Sequence, residues 1–524
     1  MLHMRRAALL MTVFSLGTVP AMAAEVSDAQ ARVVEGQIAD WLHATLGPAV
    51  TLPDRPVQLT AEATDYAVLI PLGGVAMTGK LAPGDDGLWR LSGMQIPSPS
   101  TFTVSMPQPG KAGEPMQMVP TTYTVTLGTQ STDGVFDPSY RQASTLAQKF
   151  TELKIVTDSA SVQQTTTIAG SDSTTRMVPL GNGRFDVTSA ATLTGYSLSS
   201  SMPGKGTVRF DAQSGKLASQ LSGVSGERGP ALMRASFGII ASVVSKLGNA
   251  GATAPGSPGD AQMKALALEM VNSLDGVATQ VSLDESLTGA RMQIGTSSGG
   301  GDGTIGSLHL GMGGSAPGGL LTAYLDVGLD QVSVPSLAGL LGPFADLVPH
   351  SFEMRPTVSG ISSPTLLALL RTGLQDGAPP PDFSALLKAG PITVGLDRLA
   401  FDVGPAGFTG KGSVVFTSPT SFAGSGQVTA TNLDALIQRA STDPAMRSVF
   451  AVMTVAKGIG HTQGEQTVWD ITYQNGKALV NGVDVMAMAG QSAAPPAVGP
   501  PMAIVPPVAP APSLPAPAGK PPPR

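Results

Sequence analysis

The sequence contains no cysteine and few charged residues. Asp, Glu, Lys and Arg make up 13% of its 524 residues, against an average near ~25%. The lack of cysteine excludes disulfides, thiol nucleophiles, Cys-ligated zinc and iron–sulfur clusters. The net charge is −6 and no broad basic face is visible. Nucleic acid is therefore not expected as a partner, because phosphate binding relies on clustered Lys and Arg.

Long apolar runs are also missing beyond the N-terminus. Arg5 and Arg6 precede an apolar run from Ala7 to Val19, and the small-residue sequence Ala21-Met22-Ala23 follows. This order predicts a signal peptide over residues 1–23, with an uncleaved anchor as the alternative. No later segment reaches the ~18 uninterrupted apolar residues of a membrane span. We therefore expect a periplasmic or secreted protein with no transmembrane segment in the mature chain.

Aromatic residues are scarce at 5%, whereas glycine (63) and proline (44) are abundant. Such a composition is typical of short strands joined by many turns. From about residue 56 to 224, apolar and polar residues alternate, which predicts an antiparallel sheet. Asn182-Gly183 predicts a hairpin turn, and a second turn is expected around Ser214-Gly215.

Helical patterns interrupt the strands. The first runs from Ser27 to Gly47 and begins with a capping-box pattern, Ser27 and Gln30. A helix pair is expected at about Gly229–Leu247 and Asp260–Leu274. Strands and short helices follow from residue 276. Asn475-Gly476 predicts a late hairpin, and Asn481-Gly482 a second bend.

The predicted organisation has four parts. After the signal peptide, residues 25–275 form an N-terminal helix, a β-rich half and a helix pair. Residues 276–490 form a second β-rich half with helices, and residues 491–524 form a disordered Ala/Pro-rich tail. The fold class is α+β, with extended antiparallel sheets and helices packed on one face or at the ends. The two halves look alike in outline; strand and helix blocks often recur independently, and an ancient duplication is the alternative explanation.

One glycine-rich stretch matches two motifs of catalysis or nucleotide binding. Residues Gly295–Gly299 fit G-x-S-x-G, with Ser297 as the nucleophile, and Gly301–Gly306 fit G-x-G-x-x-G. Both motifs require a helix to follow, but Leu308, Leu310 and Met312 alternate as in a strand. We interpret the stretch as a flexible connection between two strands.

The other candidate motifs, for phosphate and metal binding, also match poorly. The stretch around Lys411 has Pro405 and Gly412 where a phosphate loop needs Gly and Ser or Thr. The mature histidines are not paired at helical spacing; they are His43, His309, His350 and His461. Asp302 is the one acid in the glycine-rich stretch, too few ligands for calcium. We predict no catalytic, cofactor-binding or metal-binding residue and no cofactor. Two acids that are distant in the sequence could still meet in the fold, which leaves a glycosidase as an alternative.

Several segments resemble an uncharacterised family of exported bacterial proteins, catalogued as a domain of unknown function. They are YAVLIPLGGV, GLWRLSGMQIPSPSTFTVSM, ITVGLDRLAFDVGPAGFTGKG and TVWDITYQNGKALVNGVDV. The last segment is also similar to the ends of AsmA-like envelope proteins, which usually keep a membrane anchor. The resemblance covers about Glu25 to Met488. It implies a role in the cell envelope and carries over no catalytic residue.

The leading hypothesis is an exported, non-enzymatic envelope protein that binds a lipid or another amphiphilic component on a sheet surface. Low charge, many alternating strands and apolar helices favour it. A structural or protein-binding envelope component is the first alternative. A secreted hydrolase with an unrecognised active site is the second, with Ser297 or scattered acids as its chemistry.

Overall fold

The computed structural model describes residues 26–46, 53–72, 75–84, 87–108, 117–137, 142–159, 163–202, 206–226, 228, 258–296, 299–336, 347–375, 382–442, 446–474, 476–485 and 487. In this part of the chain, 22 strands join in one sheet, and every pairing is antiparallel. The β-rich, antiparallel class is therefore confirmed. The predicted signal peptide, the helix at 229–247 and the Ala/Pro-rich tail lie outside the described residues.

Strands of the first half are β1 (Gln58–Ala61), β2 (Tyr66–Leu72), β3 (Val75–Pro83), β4 (Trp89–Gln95), β5 (Ser100–Gln108), β6 (Gln117–Thr126), β7 (Gln130–Asp137), β8 (Gln142–Asp158), β9 (Gln163–Gly181), β10 (Arg184–Met202) and β11 (Gly206–Ser225). Those of the second half are β12 (Gln280–Thr296), β13 (Gly299–Ser315), β14 (Leu320–Asp330), β15 (Ser351–Ser362), β16 (Ile392–Val403), β17 (Ala406–Ser418), β18 (Ser421–Thr431), β19 (His461–Gln463), β20 (Gln466–Gln474), β21 (Lys477–Val480) and β22 (Val483–Asp484).

The α-helices of the described chain are α1 (Asp28–Leu46), α2 (Pro258–Leu274), α3 (Ser363–Leu374), α4 (Ser384–Lys388), α5 (Leu433–Thr442) and α6 (Arg447–Ile459). A short 3-10 helix at Pro317–Gly319 joins β13 to β14.

Strand order follows the chain closely. β1 to β4 form a meander, β4 pairs with β7, and each strand from β7 to β18 pairs with the next. The β5–β6 hairpin joins through β6 to the C-terminal part of β8. β20 pairs with β18, β19 and β21, and β21 pairs with β22. Sequential antiparallel pairing is what short, turn-rich connections produce.

Helix α1 covers the N-terminal strands. The Gln30 N–H donates to Ser27 Oγ at 3.3 Å, so Ser27 caps the helix as predicted. The apolar stripe of α1 packs against β1–β4 and β7, where Tyr66 and Leu81 are almost fully buried. The carboxylate of Glu35 accepts the Leu59 N–H at 2.6 Å, which ties the helix to β1.

Two of the predicted turns are confirmed and one is wrong. Asn182 and Gly183 have φ values of 52° and 69° and connect β9 to β10. Asn481 and Gly482, at 49° and 81°, connect β21 to β22. Asn475 lies outside the described residues. Ser214-Gly215 is not a turn, because β11 continues through it from Gly206 to Ser225.

The glycine-rich stretch is also more regular than predicted. β12 and β13 are neighbours, as expected, but β13 already begins at Gly299 and pairs in register with β12. Only Ser297 and Ser298, outside the described residues, separate the two strands. Glycine does not prevent strand pairing when a partner strand supplies the backbone hydrogen bonds.

The Ser214 region of β11 belongs to a feature that crosses six strands, a change in which alternate residues are the more buried ones. In β10 the more buried positions are odd-numbered up to Leu193 and even-numbered from Tyr196. β8, β9 and β11 change phase at the same level. One register row marks this change, and we call it the switch row; its members are Glu152, Ala169, Gly195, Gln213, Gly289 and Gly306.

Alternate members of the switch row have left-handed backbones. The φ values are 54° for Glu152, 60° for Gly195 and 59° for Gly289. Each such residue lets the next side chain return to the same face, so apolar residues recur at i and i+3. Phe150 and Leu153 are one example, and both belong to a buried cluster that gathers along this row. We call the face that carries this cluster the inner face.

We predict that Gly195→Ala destabilises the fold by about 1–3 kcal/mol, because φ is positive and the new Cβ meets Ala169 Cβ at 2.7 Å. Gly36→Ala is the control: the residue is exposed within α1, with nothing within 4 Å of the added Cβ. That change should stabilise by about 0.5–1 kcal/mol. Urea unfolding measures both, and equal effects would contradict the role of the switch row.

We predict that Tyr196→Phe stabilises the protein. The Tyr196 hydroxyl is buried without a hydrogen-bond partner among the described residues, and burial raises its pKa. Folding raises the pKa of Tyr196. The stability that depends on a protonated phenol is therefore fully present below about pH 10 and is lost as pH rises further. Tyr196→Phe should remove this dependence of stability on pH.

Tyr66→Phe should instead destabilise the protein by about 1 kcal/mol, since the Tyr66 hydroxyl accepts the Ser27 N–H at 3.2 Å. Unfolding curves between pH 7 and 11 test both; destabilisation by Tyr196→Phe would contradict the assignment.

Candidate functional site

Charge is segregated between the two faces of the sheet from β8 to β18. The register assigns each strand residue to the inner face or to the opposite, outer face. In these described strands, the Lys, Arg and Asp side chains lie on the outer face on both sides of the switch row. Apart from the switch row itself, the inner face carries a single charged side chain, Glu285. This face is therefore the candidate functional surface.

Aromatic rings form part of the inner face in the C-terminal strands. Phe401 and Phe408 stack with centroids 4.9 Å apart. Phe422 lies 5.5 Å from Phe416 and stacks on Tyr473 at 4.4 Å. Between these two groups the floor is glycine: an added Cβ at Gly412 would lie 2.9 Å from the Gly426 Cα. The floor is thus smooth and apolar between two aromatic borders.

Side chains of two helices contact the inner face near the C-terminal strands. Residues of α5 and α6 pack against Ala430 and Trp469, and the Trp469 indole N–H donates to the Ala456 carbonyl at 2.7 Å. Asn481 holds the adjoining strands to the end of α6, since its amide donates to the Ile459 carbonyl at 2.7 Å and its Oδ1 accepts the Asp470 N–H.

The middle of the inner face is open. Large apolar side chains on five different strands are more than a third exposed there. They are Val281 (44%), Met312 (38%), Leu325 (37%), Val394 (43%) and Ile471 (37%). This band of exposed apolar side chains is therefore a candidate binding surface.

The outer face carries a charged cluster over β14–β16. Asp326 has a side chain only 11% exposed and lies between two arginines: Arg398 donates to its carboxylate at 3.2 Å, and Arg355 lies 3.7 Å away. Arg355 also lies over the Tyr324 ring, 4.6 Å from its centroid. These charge pairs link β14, β15 and β16.

His309 lies beside this cluster and comes closest to a catalytic arrangement. Its Nδ1 is 3.7 Å from Asp284 Oδ1, and Ser286 is its register partner on β12. The ring extends over Gly311, where an added Cβ would lie 3.3 Å from Nε2. The acid is 61% exposed and the His–Asp distance exceeds a hydrogen bond, so this is a surface ion pair rather than a triad.

A shallow groove of about 360 Å³ lies nearby over β9–β12. Its lining is largely hydroxyls and amides with one ion of each sign, and includes Thr174, Arg176, Thr188, Gln220, Ser282 and Asp284.

The structure describes only some of the residues of the sequence motifs. Ser297 and His43 have no described side chain, His350 is exposed, and Lys411 lies in the middle of β17. Within the described ranges, no group of three or more His, Asp and Glu residues could hold a metal ion. Nor is any helix of those ranges long and apolar enough to cross a membrane.

Comparison of the chain with protein-family models, characterised proteins and solved structures gave no match. The inner face is therefore interpreted from its own chemistry.

We predict that Asp326→Asn destabilises the protein by about 1–3 kcal/mol, because Arg355 then loses its carboxylate partner and Arg398 keeps only Glu353. Asp302→Asn is the control, since Asp302 is exposed on the neighbouring β13; its effect should stay within about 0.5 kcal/mol. Thermal unfolding of both variants tests this. Equal stability of the two would show that the arginine pairs contribute nothing.

Proposed function

We propose that this protein is an exported, non-enzymatic component of the bacterial envelope that binds an amphiphilic molecule, such as a lipid, on the inner face. The observation that carries the proposal is the open band of exposed apolar side chains on a face with one charge. The signal-peptide pattern and the resemblance to exported envelope proteins support the compartment.

Physical chemistry favours an apolar ligand over water. Covering apolar surface contributes about 25 cal/mol per Å², and the smooth glycine floor allows close approach without loss of side-chain freedom. A hydrocarbon chain that covered charged side chains would remove water from them at a cost in free energy. The inner face carries almost no charge, so this cost is small there.

Two finer features of the architecture are proposals as well. Helices are proposed to pack on one face or at the ends of the sheet; contacts of α5 and α6 with Trp469 support this. Residues 25–275 and 276–490 are proposed as two similar halves, because each contains a block of strands that is followed by a helix or helices.

The experiment compares two valines on adjacent strands. Val394 is on the inner face of β16 and 43% exposed, and Val415 is on the outer face of β17 and 36% exposed. We expect Val394→Asp to weaken uptake of a fluorescent fatty-acid probe about tenfold or more, because a charge would enter the apolar band. Val415→Asp carries the same change of residue in similar strand context and should leave uptake unchanged.

Native mass spectrometry of the purified protein accompanies the titration. Bound lipid in the wild type and its loss in Val394→Asp would support the proposal. No lipid, no probe uptake, or equal effects of both variants would contradict it. In that case, capture of a membrane protein by the exported chain would favour the structural or protein-binding alternative.

A further inference from the structure

Glu285 differs from the other charged residues of β8 to β18 outside the switch row, which lie on the outer face. It lies on the inner face of β12, four residues before the phase change at Gly289. Its four neighbours on that face are all leucines: Leu217 and Leu310 across the strands, and Leu283 and Leu287 along β12. The side chain is partly buried.

No group of the described chain compensates this charge. Glu285 makes no hydrogen bond or ion pair with the described residues, whereas the partly buried carboxylate of Asp211 and the exposed one of Asp434 each pair with a cation. The nearest residues in sequence point to the other face, where Asp284 faces His309. A carboxylate among leucines is unfavourable unless a partner arrives.

We propose that Glu285 selects amphiphiles with a cationic, ammonium-type headgroup, and that the apolar chain lies along the inner face. This inference rests on the proposed function and adds the headgroup. Charge complementarity is its basis: an ammonium would donate to the carboxylate, while an anionic headgroup in the same position would be repelled. The four leucines would contact the first methylenes of the chain.

The experiment measures displacement of N-phenyl-1-naphthylamine, a neutral apolar probe, from the purified exported chain. Three ligands with the same chain length are compared: dodecylammonium, dodecanol and dodecanoate. We expect dodecylammonium to bind about tenfold tighter than dodecanoate, with dodecanol between them.

Variants at residue 285 separate charge from shape. Glu285→Gln keeps the shape and should bring the three affinities within about threefold, and Glu285→Lys should reverse the order. Asp284→Asn is the control on the outer face and should keep the wild-type order. Circular dichroism establishes that each variant is folded.

The outcomes distinguish the two proposals. Equal wild-type affinities, or an order that neither Glu285 variant changes, would overturn the role of Glu285 while leaving amphiphile binding in place. Failure of the probe and of all three ligands to bind would overturn the proposed function itself.

Discussion

The fold depends on one geometric constraint: residues paired across an antiparallel sheet lie on the same face. If a single strand changed phase, its apolar residues would move to the outer face. The switch row avoids this because all six strands change at the same register level. Left-handed residues on alternate strands make the change, and the buried cluster around Tyr196 gathers where it occurs. The result is one inner face that stays apolar on both sides of the row.

This continuity gives the two faces different chemistry. On the outer face, Asp326 is paired with Arg355 and Arg398, and His309 lies beside Asp284. On the inner face, exposed apolar side chains and one carboxylate remain. Paired charges stabilise neighbouring strands, whereas an unpaired charge on an apolar surface is informative about a ligand. The same sheet therefore separates structural electrostatics from recognition.

Much of the fold follows from sequence patterns. Alternation, the Asn182-Gly183 turn and the Ser27 cap were all predictable because each depends on neighbouring residues. The phase change was not, because Ser214-Gly215 has the composition of a turn, and only pairing with β10 and β12 shows that the strand continues. The glycines from Gly299 onward were misread for the same reason.

The candidate site was less predictable than the fold. Motif searching led to Ser297, which lies outside the described residues, and passed over Glu285. A signal was nevertheless present in VSLDESLTGA, where leucines alternate around an acid and Thr-Gly ends the alternation. Alternation along the strand already places Glu285 on the face of Leu283 and Leu287. The register adds Leu217 and Leu310 across the strands, and only that shows that the acid lies on a continuous apolar face.

Photo-crosslinking with a diazirine-bearing fatty amine tests the central claim most directly. The account predicts that labelled peptides carry the modification at inner-face positions of β12–β20, near Val281, Met312, Leu325 and Val394. Labelling spread equally over the outer face, or no labelling above that of an unfolded control, would contradict it.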